Sequence, residues 1–200
     1  MPKVRYLTHP QVAIDPAVPT PDWGLSDLGR ARAGKLARSG LMRSTRLIVS
    51  SAERKATETA AIVSAAHGAP VMVREAMHEN DRSATGYLPP PAFEAAADAF
   101  FANPFESFRG WERAVDAQAR IVREVDAALA EAADLDGDIL LVGHGAVGAL
   151  LLCVLSGLPI SRASDQPAGG GNLFAFDREA RIMHHGWRSI ERLIDGGEAP

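Results

Sequence analysis

The chain has 200 residues, a formal net charge of −4, a pI of about 5.9 and 46% apolar side chains. That is enough chain for one domain with a true core, and the weakly acidic balance gives no electrostatic case for nucleic acid or a membrane surface as a partner. The single cysteine, Cys153, excludes an internal disulfide framework, the opening MPKVRYLTHP lacks a long apolar region of the signal-peptide kind, and no apolar run reaches a membrane span, so a cytoplasmic setting is expected.

Lys3 to Thr8 reads as a first strand, closed by His9-Pro10. Proline cannot pair inside a sheet and biases the residue before it toward extended backbone. The Pro- and Asp-rich run from Gln11 to Gly24 is a stiff loop. Ser26 is placed to cap a helix from Leu28 to Arg38, which Gly40 would stop. Arg46 to Ser50 is a second strand, and Ser51 would cap a second helix, Ala52 to Ala66, ended by Gly68. Arg54 falls in the first turn of that helix, where a cation opposes the helix dipole unless an anion lies near. Val71 to Arg74 is a third strand. The polar segment from Glu75 to Glu94 is too long for a plain connection, which points to a working loop carrying His78, Glu79, Asp81 and Arg82.

A short helix follows from Pro91 to Ala102, then an aromatic turn, FANPFESFRGW, expected to dock on the core. The aromatics of the insertion, Phe100, Phe101, Phe105, Phe108 and Trp111, could pack within the chain or across a homodimer. Glu112 to Ala133 reads as a long helix with Val115, Ala119, Val122, Val125 and Leu129 on one stripe and its charges on a solvated face. Ile139 to Val142 is a fourth strand, feeding through Gly143-His144-Gly145 into an apolar helix that Leu158-Pro159 ends. Glycines there allow a sharp turn and a close approach to a ligand, and the helix start offers N–H groups to an anion. Gly143, Gly145 and Gly148 also spell G-x-G-x-x-G, but the acidic residue at the matching distance, Asp165, lies in SRASDQPAGGG, which cannot be a buried strand, so dinucleotide binding is set aside. Asn172 to Phe176 and Ala180 to Trp187 form a closing hairpin around Asp177-Arg178, with His184 and His185 on opposite faces and so a poor chelating pair. The tail IDGGEAP is expected to fray.

His9, Arg54, Glu79 and His144 each follow a strand, as expected when several strand-to-helix connections line one sheet edge. Two imidazoles, a guanidinium and a carboxyl group suit phosphoryl transfer through nitrogen. One imidazole attacks phosphorus in line, the cations hold the equatorial oxygens, and the acid protonates the leaving oxygen.

The order and spacing of these motifs resemble the histidine phosphatase superfamily, the phosphoglycerate mutase-like family. Its opening Arg-His-Gly is matched by Thr8-His9-Pro10, its Leu-Thr-x-x-Gly helix start by Leu25 to Gly29, and its Ser-x-x-x-Arg with Thr-Ala by Ser50 to Arg54 with Thr59-Ala60. The acid loop resembles Met77-His78-Glu79, the late His-Gly resembles His144-Gly145, and the last Asn-led strand resembles Gly171-Asn172-Leu173. The resemblance implies an α/β fold: a three-layer α/β/α sandwich, with a mostly parallel central sheet, helices on both faces and a helical insertion. One domain over residues 1–200 is expected, with the insertion at about 75–112. It further implies His9 as the nucleophile that becomes phosphohistidine. Arg54 and His144 would bind phosphoryl oxygens, Glu79 would be the general acid and then base, and no metal or cofactor would be needed.

The departures are specific. Thr8 stands where the family has arginine, and losing one such donor costs roughly 10²–10³ in rate. Pro10 removes a backbone N–H that could face phosphate. Arg5 is about 13 Å from His9 along the strand, so Arg82 and Lys55 are the better replacements, with Thr8 itself retained as a phosphate-binding candidate. Asp81, two residues from Glu79, is an alternative acid. The expected function is a phosphatase for a small phosphorylated molecule, with altered or weak activity. The alternative is a catalytically silent relative that binds a phosphate-bearing or anionic ligand, and a third reading is a phosphomutase.

Overall fold

The computed structural model describes residues 2–196. Its six strands are β1 (Lys3–Thr8), β2 (Thr45–Ser51), β3 (Val71–Arg74), β4 (Asp138–Gly143), β5 (Asn172–Asp177) and β6 (Met183–Ser189), and they form one sheet in the order β3-β2-β4-β1-β5-β6. The first four run parallel, while β5 pairs antiparallel with both β1 and β6. The helices are α1 (Asp27–Arg38), α2 (Arg54–His67), α3 (Pro90–Ala102), α4 (Ala114–Glu131), α5 (Gly145–Leu155) and α6 (Ile190–Gly196).

The central strands are apolar on both faces, and alternation sorts their side chains into two cores. Val4, Tyr6, Val49, Ile139, Leu141 and Phe174 pack with α3, α4 and α5. Leu7, Ile48, Leu140, Val142 and Leu173 pack with α1, α2 and α6. The result is the three-layer α/β/α sandwich with a mostly parallel sheet.

Local chemistry differs from the sequence expectation at several element ends. Ser26 does cap α1, accepting from the Gly29 N–H, but Gly40 opens a short 3-10 turn rather than stopping the helix, and Ser39 is the C-cap. Ser51 is not a helix cap: it is the last residue of β2, Glu53 is the N-cap of α2, and the helix starts at Arg54. Gly68 ends α2 in the left-handed conformation, at φ 70°. The long helix is shorter than its sequence pattern, and its inward stripe is Ala114, Ala117, Ile121, Val125 and Ala128, while Ala119 faces solvent. Val125 and Leu129 of the expected stripe are buried, and the rest of the buried face is largely alanine, which a reading that weights large aliphatics passes over. Phe100, Phe101 and Trp111 are buried in the core, whereas Phe105 is 73% exposed. In the expected frayed tail, Ile194 to Gly196 continue α6, and the rest lies outside the described residues.

The start of β4 is tied by a buried polar knot. Asp138 accepts from the Lys3 backbone N–H at 2.8 Å, from Arg5 Nη1 at 2.7 Å and from the Ser44 hydroxyl. This also disposes of Arg5 as a cation for the site. Burial opposes ionisation of Asp138, but those three donors outweigh it and hold the carboxyl below the ordinary 3.8. A depressed carboxyl stabilises the fold above its unfolded value and loses that contribution as pH falls through the folded one. Asp138→Ala is expected to cost about 3–5 kcal/mol, as for a broken buried pair. In denaturant titrations over pH, the wild type loses stability below about pH 4, and the variant shows a shallower acid limb.

Candidate active site

The parallel pairing of β2, β3, β4 and β1 sends all four carboxyl ends to one edge, so the residues after them meet there. Thr8 lies opposite Gly143 in the register, and the His9 N–H donates to the Gly143 carbonyl at 3.0 Å. His9 and His144 therefore leave adjacent strands side by side, their rings edge to face at 5.3 Å.

His9 Nδ1 lies 2.8 Å from the Pro10 carbonyl oxygen. A carbonyl only accepts, so Nδ1 carries the proton and Nε2 keeps its lone pair. Burial lowers the His9 pKa to about 4; the Pro10 contact opposes the shift and the Lys55 ammonium adds to it. The ring is thus neutral over most of the pH range. His144 is fully buried, and burial pulls it well below the ordinary histidine value. Its Nε2 is 2.8 Å from the Ser51 hydroxyl, while its Nδ1 is buried with no hydrogen-bond partner among the described residues.

The backbone of His144 is held by Tyr6, whose hydroxyl accepts the His144 N–H at 3.0 Å and donates to the His144 carbonyl at 3.1 Å. The Tyr6 ring stacks on Phe174 at 5.0 Å. This explains the three glycines of the false fingerprint. A Cβ on Gly143 would fall 2.2 Å from the Tyr6 hydroxyl, one on Gly148 would fall 2.6 Å from the Tyr6 ring, and one on Gly145 would fall 2.6 Å from Gln166 Nε2.

Glu79 sits against the first turn of α5. Its two oxygens accept from the Ala146 and Val147 N–H groups at 3.2 and 3.1 Å and from its neighbour Asn80 N–H at 3.1 Å. Burial raises its pKa despite nearby Arg82. The loop that carries it is clamped by Arg120 of α4, which donates to the carbonyls of Ala76, His78 and Glu79 and pairs through two nitrogens with Glu112. Asp81 is exposed, bonds within its own loop to the Ser83 N–H, and is lowered by that contact. Asn80 is buried, and its Nδ2 has no partner among the described residues.

The cations fall differently from expectation. Arg54 is turned away: its side chain is 61% exposed and pairs with Glu58 at 2.9 Å, one turn along α2. Lys55 is the α2 cation that faces inward. It is buried, donates to the Thr20 carbonyl at 2.7 Å and pairs closely with Glu53. Glu53 in turn accepts the Glu79 N–H at 2.8 Å and lies 3.6 Å from His144 Nε2. Burial works against its ionisation, but the His144 ring, the Lys55 ammonium and the Glu79 N–H overcome this and bring it to about 2. Arg82 lies over the Phe93 ring at 5.0 Å and has no ion-pair partner among the described residues. A cavity of about 300 Å³ is bounded by His9, Glu79, Asn80, Arg82, Gly145 and Gln166, among others. Thr8 does not reach it; the residue is fully buried, with its hydroxyl bonded to Gln166 and Asn172.

His9, Glu79, His144 and Arg82 are thus brought together, and Arg54 and Thr8 are not. Lys55, first considered only as a substitute, is the lysine of the site, and helix phase reveals it: Lys55, Thr59 and Val63 are the buried i, i+4, i+8 row of α2. Glu53, Arg120, Asn80 and Gln166 were missed. For Arg120 the signal was its place beside Ala117 and Ile121 on the inward stripe. For Gln166 nothing local in the sequence pointed to it.

The comparisons agree with this architecture. The model of the histidine phosphatase superfamily, branch 1, matches residues 14–181. No curated protein matches the chain significantly. A mycobacterial glucosyl-3-phosphoglycerate phosphatase, solved with inorganic phosphate, is 25% identical over 94% of this chain and 95% of its own, with a TM-score of 0.74. YhfR of Bacillus stearothermophilus is 20% identical over 93% of this chain and 95% of its own, with a TM-score of 0.76. A phosphoserine phosphatase of Entamoeba histolytica, solved with 3-phosphoglyceric acid, is 17% identical over 94% of this chain and 98% of its own, with a TM-score of 0.72. With most of its length matched by the family model and its sheet edge carrying two paired histidines, the chain belongs to the histidine phosphatase superfamily.

Proposed function

We propose that this chain is a phosphatase that hydrolyses a small phosphorylated molecule through a phosphohistidine on His9. The observation that carries the reading is the His9 tautomer: with Nδ1–H donated to the Pro10 carbonyl, Nε2 is a neutral nucleophile at the cavity wall. Pro10, which cost the strand end an N–H, supplies the carbonyl that fixes the ring.

In the first step Nε2 attacks phosphorus, the bond from phosphorus to the ester oxygen breaks, and protonated Glu79 gives its proton to the departing oxygen. Lys55, Arg82 and His144 stabilise the equatorial oxygens as charge redistributes. In the second step water attacks phosphohistidine, the Glu79 carboxylate takes the water proton, and phosphate leaves with His9 neutral again. A raised Glu79 pKa suits the acid role, which the exposed and depressed Asp81 does not. Support for a small substrate comes from the solved neighbours, two of which are phosphatases of small phosphorylated molecules.

The second reading, a silent binder of an anionic ligand, has one observation in its favour. Glu53 neutralises Lys55 and brings a carboxylate within the group of residues that would meet phosphate.

Three outcomes are expected. Mixed with an activated aryl phosphate and quenched in alkali, the protein carries base-stable phosphate on His9, and His9→Ala carries none. The silent reading predicts no label and no turnover in the folded wild type. Lys55→Ala loses roughly 10²–10³ in kcat/KM, while Arg54→Ala leaves turnover unchanged, because its exposed pair contributes about 0–1 kcal/mol to stability and nothing to the site. The pH profile of kcat/KM rises through about 4, as His9 loses its proton, and falls as pH passes the raised Glu79 value. Glu79→Gln drops the rate by roughly 10²–10⁴ and removes the alkaline limb.

A further inference from the structure

The proposed chemistry leaves a gap at the end of β1. Thr8 stands where the family resemblance implies an arginine that would donate to the phosphoryl group, and Thr8 itself is fully buried. A short chain of hydrogen bonds runs from Thr8 back to the cavity. The Thr8 hydroxyl accepts the Asn172 N–H at 3.0 Å and donates to Gln166 Oε1 at 2.6 Å. Asn172 Nδ2 donates to the same Gln166 oxygen at 3.0 Å and to the Pro167 carbonyl at 2.9 Å.

The direction of this chain is fixed. The Pro167 carbonyl only accepts, so the atom of Asn172 beside it is the amide nitrogen. That nitrogen has its second hydrogen directed at Gln166, so the atom of Gln166 it meets is the oxygen. The Gln166 amide cannot flip without setting two donors against each other. Its Nε2 is therefore turned the other way, toward Gly145 at the start of α5, where a Cβ would fall 2.6 Å from it. Among the described residues the hydrogen bonds of Gln166 use its Oε1 and backbone N–H and none uses Nε2, and Gln166 lines the same cavity as His9 and Glu79.

We propose that Gln166 supplies, through Nε2–H, the phosphoryl-oxygen donor that the missing arginine would have given, and that Asn172 and Thr8, which both donate to its oxygen, are the positioning residues that aim it. The inference rests on the phosphatase reading above. Arginine cannot be oriented in this way by a threonine, because a guanidinium has no acceptor to receive the hydroxyl proton. An amide presents an acceptor to the scaffold and a donor to the ligand. It gives a hydrogen bond without a formal charge, so it is weaker toward phosphate than a charge-assisted one. The glycine at 145 leaves room for the amide edge, which ties Gly145 to Gln166 as Gly143 and Gly148 are tied to Tyr6.

The test is steady-state hydrolysis of p-nitrophenyl phosphate, together with inhibition by vanadate. Gln166→Glu keeps an oxygen facing Thr8 and Asn172 but exchanges the free N–H group for an acceptor. It is expected to lower kcat by roughly 10²-fold or more and to weaken vanadate inhibition, with a smaller change in KM. Thr8→Val, which removes one of the two donors on the Gln166 oxygen and leaves the Asn172 amide in place, is expected to lower kcat in the same direction but less. Wild-type turnover and vanadate inhibition retained in both Gln166→Glu and Gln166→Leu overturn the inference while leaving the phosphatase reading intact. Should Gln166→Leu fail to fold, Gln166→Glu alone decides. A wild type that neither hydrolyses the ester nor binds vanadate or phosphate removes the phosphatase reading itself, and with it this role for Gln166.

Discussion

Tyr6 is the constraint on which the site depends. It lies in the middle of β1, fully buried, with its ring on Phe174 and its hydroxyl on both backbone polar groups of His144. One side chain thereby ties the strand that leads to His9 to the turn that carries His144. The β1–β4 register sets the two histidines at neighbouring strand ends, and the Tyr6 hydroxyl fixes the turn between sheet and helix. Gly143 and Gly148 are glycines because Tyr6 fills the space their Cβ atoms would need. Burial holds the Tyr6 pKa above its ordinary value, so the hydroxyl stays protonated and can donate as well as accept. A phenylalanine there would leave the buried His144 N–H without this partner, a loss of about 1–3 kcal/mol concentrated at the site.

A second layer of support comes from side chains that bond backbone rather than ligand. Arg120 reaches from α4 to three successive parts of the acid loop and is itself neutralised by Glu112. Glu53 receives the Glu79 N–H and holds Lys55. Glu79 then closes the first turn of α5. The acid is therefore fixed at three places: its carbonyl by Arg120, its N–H by Glu53, and its carboxyl by a helix N-terminus. A loop of this length would be mobile if it were held by surface contacts alone.

Much of this was legible in the sequence, for identifiable reasons. Strands buried on both faces read as continuous apolar runs, and β1, β2 and β4 are such runs or nearly so. His9, Glu79 and His144 follow strand ends, and the parallel topology then brings them together. Proximity to a strand end does not by itself turn Arg54 into the site. In a helix, adjacent residues are about 100° apart, and here they separate an exposed arginine from a buried lysine. The Gln166 donor was illegible because its direction depends on Thr8 and Asn172, both at strand ends that only the fold brings near the loop. Arg120 was hidden by the habit of assigning helix charges to solvent, although its stripe is the alanine-lined face that packs inward.

The charges around the cavity fit one protonation state best. Lys55 is matched by Glu53, which leaves Arg82 as the cation without a carboxylate partner among the described residues. A phosphate ester carries negative charge, so ionised Glu79 would oppose its entry as well as lack the proton for the leaving oxygen. Protonated Glu79 removes both difficulties at once. His9 remains neutral down to about 4, so acidity that favours protonated Glu79 need not disable the nucleophile. On the proposed chemistry, binding and proton donation thus ask for the same form of Glu79, and the burial of both residues opens a pH interval in which that form and a free His9 Nε2 coexist.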